Sequence, residues 1–428
     1  MKTKLAILTA FLTTILSTSA AFVLDLGDLG GPSGDGAAYG ISADGQAVVG
    51  YSNGTNAAGE AFRWTQAGGM EGLGNPPWKI YSSQAHAASD DGQVVVGWGS
   101  AFDGAHAFRW TSAGGMEDLA GTSSSSNSTA IAVSSNGSVI VGNAMWADTT
   151  TAFRWTVGGG MVSLGDFPGG ETSSSAYGIS ADGVVVVGSG STSNGYEAFR
   201  WTTTNGFESL GDLPGGDVDS WASAVSADGQ VIVGSSDATN GYEAFLWTQS
   251  TGMVKLDGLA GFDDIEASAV SADGNTIVGF CSDSSGTQEM TAFIWTPAGG
   301  MQRLADVLAA RGANLSHWQF LPQATGISED GRWVCGYGVT TNAAGKPFLA
   351  DISASVTLNI AQSNTAVIVS WPAPADGWVL ESTNALPPAA VASWPVVPEP
   401  YQTNSGTISV TFTNTPATGS QFFRLHKP

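Results

Sequence analysis

The chain has 428 residues, of which 58 are glycine, and charged residues make up only 12% of it. Fourteen basic residues against 37 acidic ones give a formal net charge of −23, a field that repels nucleic acid and anionic lipid and excludes both as partners. An apolar share of 42% still permits a real core, and the length suits one large repeat domain plus a module.

The first residues read as an export signal. "MKTK" is basic, "LAILTAFLTTIL" is apolar but too short to span a bilayer, and "STSAA" offers small residues to signal peptidase. Residues 1–20 are therefore expected to be a signal peptide, cleaved after Ala20 or Ala21. The expected destination is extracellular, with no membrane insertion after cleavage.

From residue 21 onward the chain repeats itself. An Asp-Gly turn, once Asn-Gly, falls at Asp44, Asp91, Asn136, Asp182, Asp228, Asp273 and Asp330, as in "GISADGQAVVG" at 40–50. Each turn is followed by "AFRWT" or a variant, degenerate as "PFLAD" at 347–351, and most then by "GGM". A period near 46 residues with four strand-like pieces per unit marks propeller blades. We name the pieces A ("YGIS"), B ("VVVVG"), C ("EAFRWT") and D ("MVSLGDF"), from the innermost strand outward. The expected fold is all-β: a seven-bladed propeller over residues 21–351, followed by a small β-sandwich of immunoglobulin or fibronectin type III kind over 352–428. No D-like piece follows the seventh C strand, whereas "VLDLGDLGG" at 23–31 resembles one. The N-terminal strand is thus expected to complete the last blade and close the ring. A short helix is expected around 302–311. Cys281 and Cys335 fall on opposite faces of their B strands and read as free, buried thiols.

Past Val356 the period stops. "AVIVSWP", "GWVLEST", "GTISVTF" and "QFFRLHK" alternate as short strands between Pro, Gly and Asn turns.

The units resemble the bacterial extracellular HAF repeat, named for a His-Ala-Phe triplet. Only His106-Ala107-Phe108 shows the literal triplet here, the other units carrying Glu-Ala-Phe or Thr-Ala-Phe. The resemblance covers about residues 22–350. It implies a secreted, propeller-like repeat protein and hands over no catalytic residues. The tail resembles the C-terminal modules of large secreted bacterial proteins.

Sequence motifs for chemistry are missing. The four histidines are not spaced as metal pairs, and HExxH, CxxC and a GxSxG elbow are all absent. Arg63, Arg109, Arg154 and Arg200 occupy a slot that holds Leu246 and Ile294 in other units, so they read as packing residues whose heads reach outward. Asp-Gly between strands reads as a tight two-residue hairpin whose members both tolerate positive φ, and Asn136 shows that the charge is dispensable. No cofactor is expected; calcium at the "LGD" aspartates Asp28, Asp166 and Asp212 is the one ion left open.

The turns A–B and C–D are nearly constant, whereas the B–C loops and D-to-A crossings vary freely. Diverse loops on a uniform scaffold are where binding is built. The variable face carries the candidate ligand-binding residues Trp78, Trp98, Trp146, Trp221, Tyr242, Asp103, Asp148 and Asp237. Aromatic rings stacking on sugar faces, with carboxylates taking hydroxyls, would make a glycan-binding surface. The leading expectation is a secreted, non-enzymatic recognition protein for carbohydrate or another extracellular macromolecule. The alternatives are a polysaccharide lyase or hydrolase with its site in the channel, and a structural matrix protein that binds copies of itself.

Overall fold

The structure is a computed structural model. It describes residues 21–353 other than 32–33, 55–58, 75–81 and 121–126; beyond these it describes 359–362, 366–372, 379–383, 396–397, 401–404, 407–413 and 422–426. They fall into two compact units that divide after Ser353.

The first unit is a β-propeller. Its repeating device is the "SADG" turn. Ser42 Oγ donates to Asp44 Oδ1 at 2.8 Å and accepts from Ala47 N at 2.9 Å, while Gln46 N donates to the same Asp44 oxygen at 2.9 Å. Gly45 N closes the turn onto Ser42 O at 3.0 Å, with Gly45 at φ +72°. The same serine-to-acid bond recurs at Ser89, Ser134, Ser180, Ser226, Ser271 and Ser328, with Asn136 replacing the acid once. The turn corrects the sequence reading: only the glycine takes a positive φ. The acid side chain is instead an acceptor that caps the turn from within.

These turns also bond to one another across the seams. Asp90 N donates to Ser135 O, Ser135 N to Ala181 O, Ala181 N to Ala227 O, Ala227 N to Ala272 O, Ala272 N to Glu329 O, and Glu329 N to Ala43 O, all within 3.0–3.3 Å. The last bond joins the end of the repeat to its beginning. The A strands likewise follow one another around the ring, Trp318–Ile327 lying beside Gly36–Ile41.

Five repeats form separate four-stranded sheets, A to D, such as Gly36–Ile41, Ala47–Asn53, Gly59–Thr65 and Gly69–Gly72. The blades counted as separate sheets are therefore five, not the seven that the turn spacing predicts. The physical reason lies in residues 215–219, expected to be a loop crossing. They remain extended as the start of an eleven-residue A strand, Gly215–Val225. That strand makes a parallel bridge, Tyr196 to Asp219, which joins residues 174–255 into one eight-stranded sheet.

The N-terminal strand Phe22–Asp25 pairs antiparallel with Gly345–Asp351, from Phe22 opposite Asp351 to Asp25 opposite Phe348. It forms the outer edge of the last sheet, where the sequence places it. Lys346 pairs with Asp28, and His317 Nε2 lies 3.0 Å from Asp25 Oδ2. A short helix, α1 (Leu304–Ala310), buries Leu304, Val307 and Leu308 against the final seam.

Cores lie between sheets rather than at a single centre. Val49, Ala61 and Leu73 of the first repeat pack with Val95, Phe108 and Trp110 of the second. Every C strand contributes one fully buried phenylalanine: Phe62, Phe108, Phe153, Phe199, Phe245, Phe293 and Phe348. Each stabilises the ring by roughly 1.5–3 kcal/mol.

In four repeats the residue two before the buried phenylalanine bonds to the outer strand of its own sheet. His106 Nδ1 lies 2.9 Å from Asp118 Oδ2, Thr151 Oγ1 lies 2.7 Å from Ser163 Oγ, Glu197 accepts from Ser209, and Glu243 accepts from Lys255. The histidine of the literal His-Ala-Phe triplet is thus one solution to an edge-strand pairing problem. The arginines pack as expected along the sheets. Two of their heads, however, also bond to cross-strand acids, Arg63 to Glu71 at 3.2 Å and Arg200 to Glu208 at 2.9 Å, and Arg63 Nε donates to Gly92 O in the next turn. Both cysteines are free and buried, and burial pushes each thiol up to about 12.

In the second unit, strands Asn359–Gln362, Ala366–Pro372, Thr407–Thr413 and Gln402–Asn404 form one antiparallel sheet, in that order. Val379–Thr383 and Phe422–His426 form another. Tyr401 donates its hydroxyl to Val397 O at 3.0 Å, and Val369, Leu380 and Val397 are buried. No helix among the described residues is long and apolar enough to cross a membrane.

Candidate ligand-binding site

The inner wall of the ring is built by one local device. Each A strand carries a β-bulge beside a constant, buried alanine, as at Ala38, Ala85, Ala222 and Ala267. The bulge presses the A-strand backbone onto the B-strand glycine. A Cβ on Gly234 would meet Trp221 O at 1.9 Å, and one on Gly279 would meet Glu266 O at 2.0 Å. Glycine closes every "VVVG" because only a hydrogen fits there. The residues on either side of the constant alanine are free to differ. Before it stand Ala37, Gln84, Thr129, Ser175, Trp221, Glu266 and Gln323. After it, at the bulge, stand Tyr39, His86, Ile131, Tyr177, Ser223, Ser268 and Thr325.

One part of this wall opens into a cleft of about 240 Å³, where the fourth and fifth repeats share their sheet. It is lined by Ser175, Tyr177, Ser189, Tyr196, Asp219 and Trp221, together with neighbouring serines. Trp221 packs on Tyr242, with ring centroids 4.9 Å apart and planes tilted by 55°. The Tyr242 hydroxyl donates to Asp219 Oδ2 at 2.8 Å, and its backbone N donates to Asp264 Oδ1 at 3.2 Å. The Asp219 hydrogen bond, followed by burial and the nearby Asp237 and Asp264, pushes the Tyr242 hydroxyl up to about 12, so it stays a donor at neutral pH. Asp237 stands cross-strand from Tyr242 and accepts from Asp217 N at 2.9 Å. Tyr196, 45% exposed, reaches Ser173 Oγ at 3.3 Å across the mouth.

Of the candidates from sequence, Trp221 lines this cleft, Tyr242 packs on Trp221, and Asp237 stands cross-strand from Tyr242 without lining it. Trp221 and Tyr242 lie on strands rather than in loops, because the crossing before Trp221 continues the A strand. The others are dispersed. Trp98 sits on Val94–Ala101. Trp146 ends Val139–Trp146 with its indole N–H buried and without a partner. Asp103 is held by His106 at 3.0 Å, beside the 92% exposed Phe102. Asp148 makes the following turn at φ +75°, and Trp78 lies outside the described residues. Tyr177 and the serine-rich floor were missed. The available signal was the variation beside the constant alanine.

The rest of the wall is mostly small or neutral polar, with one aromatic group. Tyr39 stacks on Tyr51 with centroids 5.8 Å apart and meets His86 edge-on at 5.7 Å. Burial pushes Tyr39 up to about 12 and His86 down to about 4, and His86 Nδ1 lies 3.1 Å from Ala130 O. Glu266 is the single carboxylate among the fourteen wall positions named above. At the constant end of the ring, burial and then Asp90 hold the Glu329 carboxyl above its usual range. Among the described residues, no group of three or more His, Cys, Asp or Glu side chains is arranged to hold a metal ion.

No protein-family model matches the chain. No curated protein sequence matches it. Among solved structures it is similar to an oligogalacturonate lyase from Vibrio parahaemolyticus, at 10% identity and a TM-score of 0.50, over 77% of this chain and 93% of that one. It is similar to an oligogalacturonate lyase in complex with manganese, at 10% identity and a TM-score of 0.50, over 79% and 95%. It is also similar to a prolyl endopeptidase, at 11% identity and a TM-score of 0.50, over 83% of this chain and 55% of that one. Identities this low show the fold alone, a β-propeller.

Proposed function

We propose that the chain is a secreted, non-enzymatic binding protein whose propeller takes carbohydrate at the cleft around Trp221. The observation that carries this reading is the arrangement of Trp221, Tyr196 and Tyr177 around a serine-lined hollow, with Asp219 as an acceptor and Tyr242 packed on Trp221. Indole and phenol rings give flat apolar platforms for the C–H faces of a pyranose. Serine hydroxyls and carboxylates match its hydroxyl groups. In this reading the eight-stranded sheet counts as two blades, the ring as seven blades of HAF-repeat type, and the tail as a β-sandwich module. Calcium at the "LGD" aspartates Asp166 and Asp212 remains part of the same proposal, Asp28 being paired with Lys346.

The test is a glycan array probed with the mature protein and with Trp221→Ala and Tyr242→Phe. Binding that Trp221→Ala abolishes and Tyr242→Phe weakens supports the reading. An array without signal, or signal indifferent to Trp221, removes it. A second reading is cleavage of a polysaccharide by the ring, for which Glu329 and the nearby Asp90 are the candidate carboxyl pair. Turnover of a polysaccharide that is lost in Glu329→Gln would replace the first reading with the second.

A further inference from the structure

The cleft at Trp221 carries one charge that nothing around it cancels. Asp219 is the single charged residue among those lining it, beside the aromatic residues Trp221, Tyr177 and Tyr196; the remaining lining residues are serines. The parallel bridge sets Asp219 opposite Tyr196, so the acid and the exposed ring stand on adjoining strands. Asp219 Oδ2 accepts from the Tyr242 hydroxyl at 2.8 Å, a neutral donor that leaves the charge in place. Among the described residues no Lys, Arg or His forms an ion pair with Asp219. The nearest other charges add to the field, since Asp237 and Asp264 push the Tyr242 hydroxyl up in the same direction as Asp219. A neutral ligand seated over Asp219 would strip water from a half-buried carboxylate and supply no counter-charge. An anionic ligand would add repulsion. A cationic group offsets the lost hydration, and aromatic faces around the same hollow attract it further.

We infer that the cleft takes an amino sugar, its protonated amine set against Asp219 and the rings of Trp221, Tyr177 and Tyr196. The inference rests on the carbohydrate reading above and names the ligand class within it. The formal net charge of −23 works in the same sense, drawing cationic glycans towards the protein from a distance. Selection among sugars, however, belongs to Asp219, because it is the charge that lines the cleft.

The experiment is calorimetric titration at pH 6, where sugar amines are protonated, of the mature protein with the hexamers of glucosamine, N-acetylglucosamine and glucose. All three share one β-1,4 backbone and differ at C2, which carries an ammonium, an acetamide or a hydroxyl. The wild-type protein is expected to bind the glucosamine hexamer at least about tenfold more tightly than either neutral one, the scale of one unit charge a few ångströms away. Added salt should weaken that ligand and leave the neutral ones within about twofold. Asp219→Asn keeps an acceptor for the Tyr242 hydroxyl, so it should leave the neutral hexamers within about threefold and weaken the glucosamine hexamer by about tenfold. Asp148→Asn removes an exposed acid outside the cleft and controls for general attraction of a polycation; it should change none of the three. A glucosamine preference that survives Asp219→Asn, or that Asp148→Asn removes equally, overturns the inference. So does the absence of any preference in the wild-type protein, which needs no variant to fold. In each of these cases, binding that Trp221→Ala abolishes leaves the carbohydrate reading standing. Failure to bind any of the three overturns the inference, and an array without signal removes the carbohydrate reading with it.

Discussion

Replacing Arg332 with leucine should destabilise the ring at the seam where it closes. Asp351 is wholly buried, yet Arg332 Nη2 lies 2.6 Å from its Oδ2, Arg332 Nε lies 3.1 Å from its Oδ1, and Ser353 N donates to Oδ1 at 2.8 Å. Burial alone would raise the carboxyl, but these bonds hold it below the usual carboxylate range. Breaking a buried pair from one side costs about 3–5 kcal/mol. The Arg332 side chain is 44% exposed, so water recovers part of that loss and the expected cost is about 2–3 kcal/mol. Loss of the guanidinium stacked over Trp333, at 4.6 Å, adds about 0.5 kcal/mol. Urea unfolding at pH 7 measures the sum. The double variant Arg332→Leu with Asp351→Leu should be more stable than Arg332→Leu alone, because no buried charge is then left unpaired. The sign with pH follows from the depressed folded pKa. The stabilisation is present above the unfolded value, about 3.9, and is lost as pH falls through the folded one. The gap between wild type and Arg332→Leu should therefore shrink in acid. A cost under about 0.5 kcal/mol, or a gap that is flat from neutral pH into acid, refutes the reasoning.

Other outcomes follow from the same contacts. Asp182→Asn should change the melting temperature little, since Asn136 serves the same turn, whereas Asp182→Ala, losing the bonds to Ser180 and Val184, should cost about 1 kcal/mol. Gly183→Ala should cost more than Asp182→Ala, because Gly183 sits at φ +74° and a Cβ would meet Val139 at 2.8 Å. Burial pulls the His106 pKa down, but its bonds to Asp118 and Asp103 leave it raised. Its contribution is thus complete below the unfolded value, about 6.5, and fades as pH rises through the folded one, so the melting gap between wild type and His106→Gln should close towards alkaline pH. Removing residues 21–31 strips the outer strand, the buried Leu26 and the Lys346–Asp28 pair from the last sheet. Thermal melting should fall by more than about 10 °C, and light scattering should show association through the exposed edge.

The scaffold was legible because its parts repeat. The turn, the buried C-strand phenylalanine and the "VVVG" glycine each recur with a fixed physical duty, and a duty repeated in every unit stands out from a single sequence. Closure by the N-terminal strand was legible for the same reason: "VLDLGD" matched a D strand that the last repeat lacked. The site was less legible. Tyr177 sits in "AYGIS", which reads as scaffold, and only comparison of the seven A strands separates the constant alanine from its varied neighbours. Trp221 read as a loop residue because "DVDSW" has turn-forming composition. In the fold, the bridge to Tyr196 keeps that crossing extended and draws Asp219 and Trp221 into one cleft. The bonds from Glu197, Glu243 and Lys346 to outer strands were hidden for a different reason. Their chemistry changes from repeat to repeat while their geometry does not.

The central claim is that carbohydrate binds at Trp221, and an equilibrium titration of the strongest array glycan tests it most directly. The wild-type protein, Trp221→Ala and Trp146→Ala should be compared under one condition, Trp146 being a half-buried indole outside the cleft. Truncation of a central aromatic anchor costs about 2 kcal/mol or more, so Trp221→Ala should weaken binding by about thirtyfold or beyond while Trp146→Ala stays near wild type. Equal affinities for wild type and Trp221→Ala, or a loss confined to Trp146→Ala, would contradict the account.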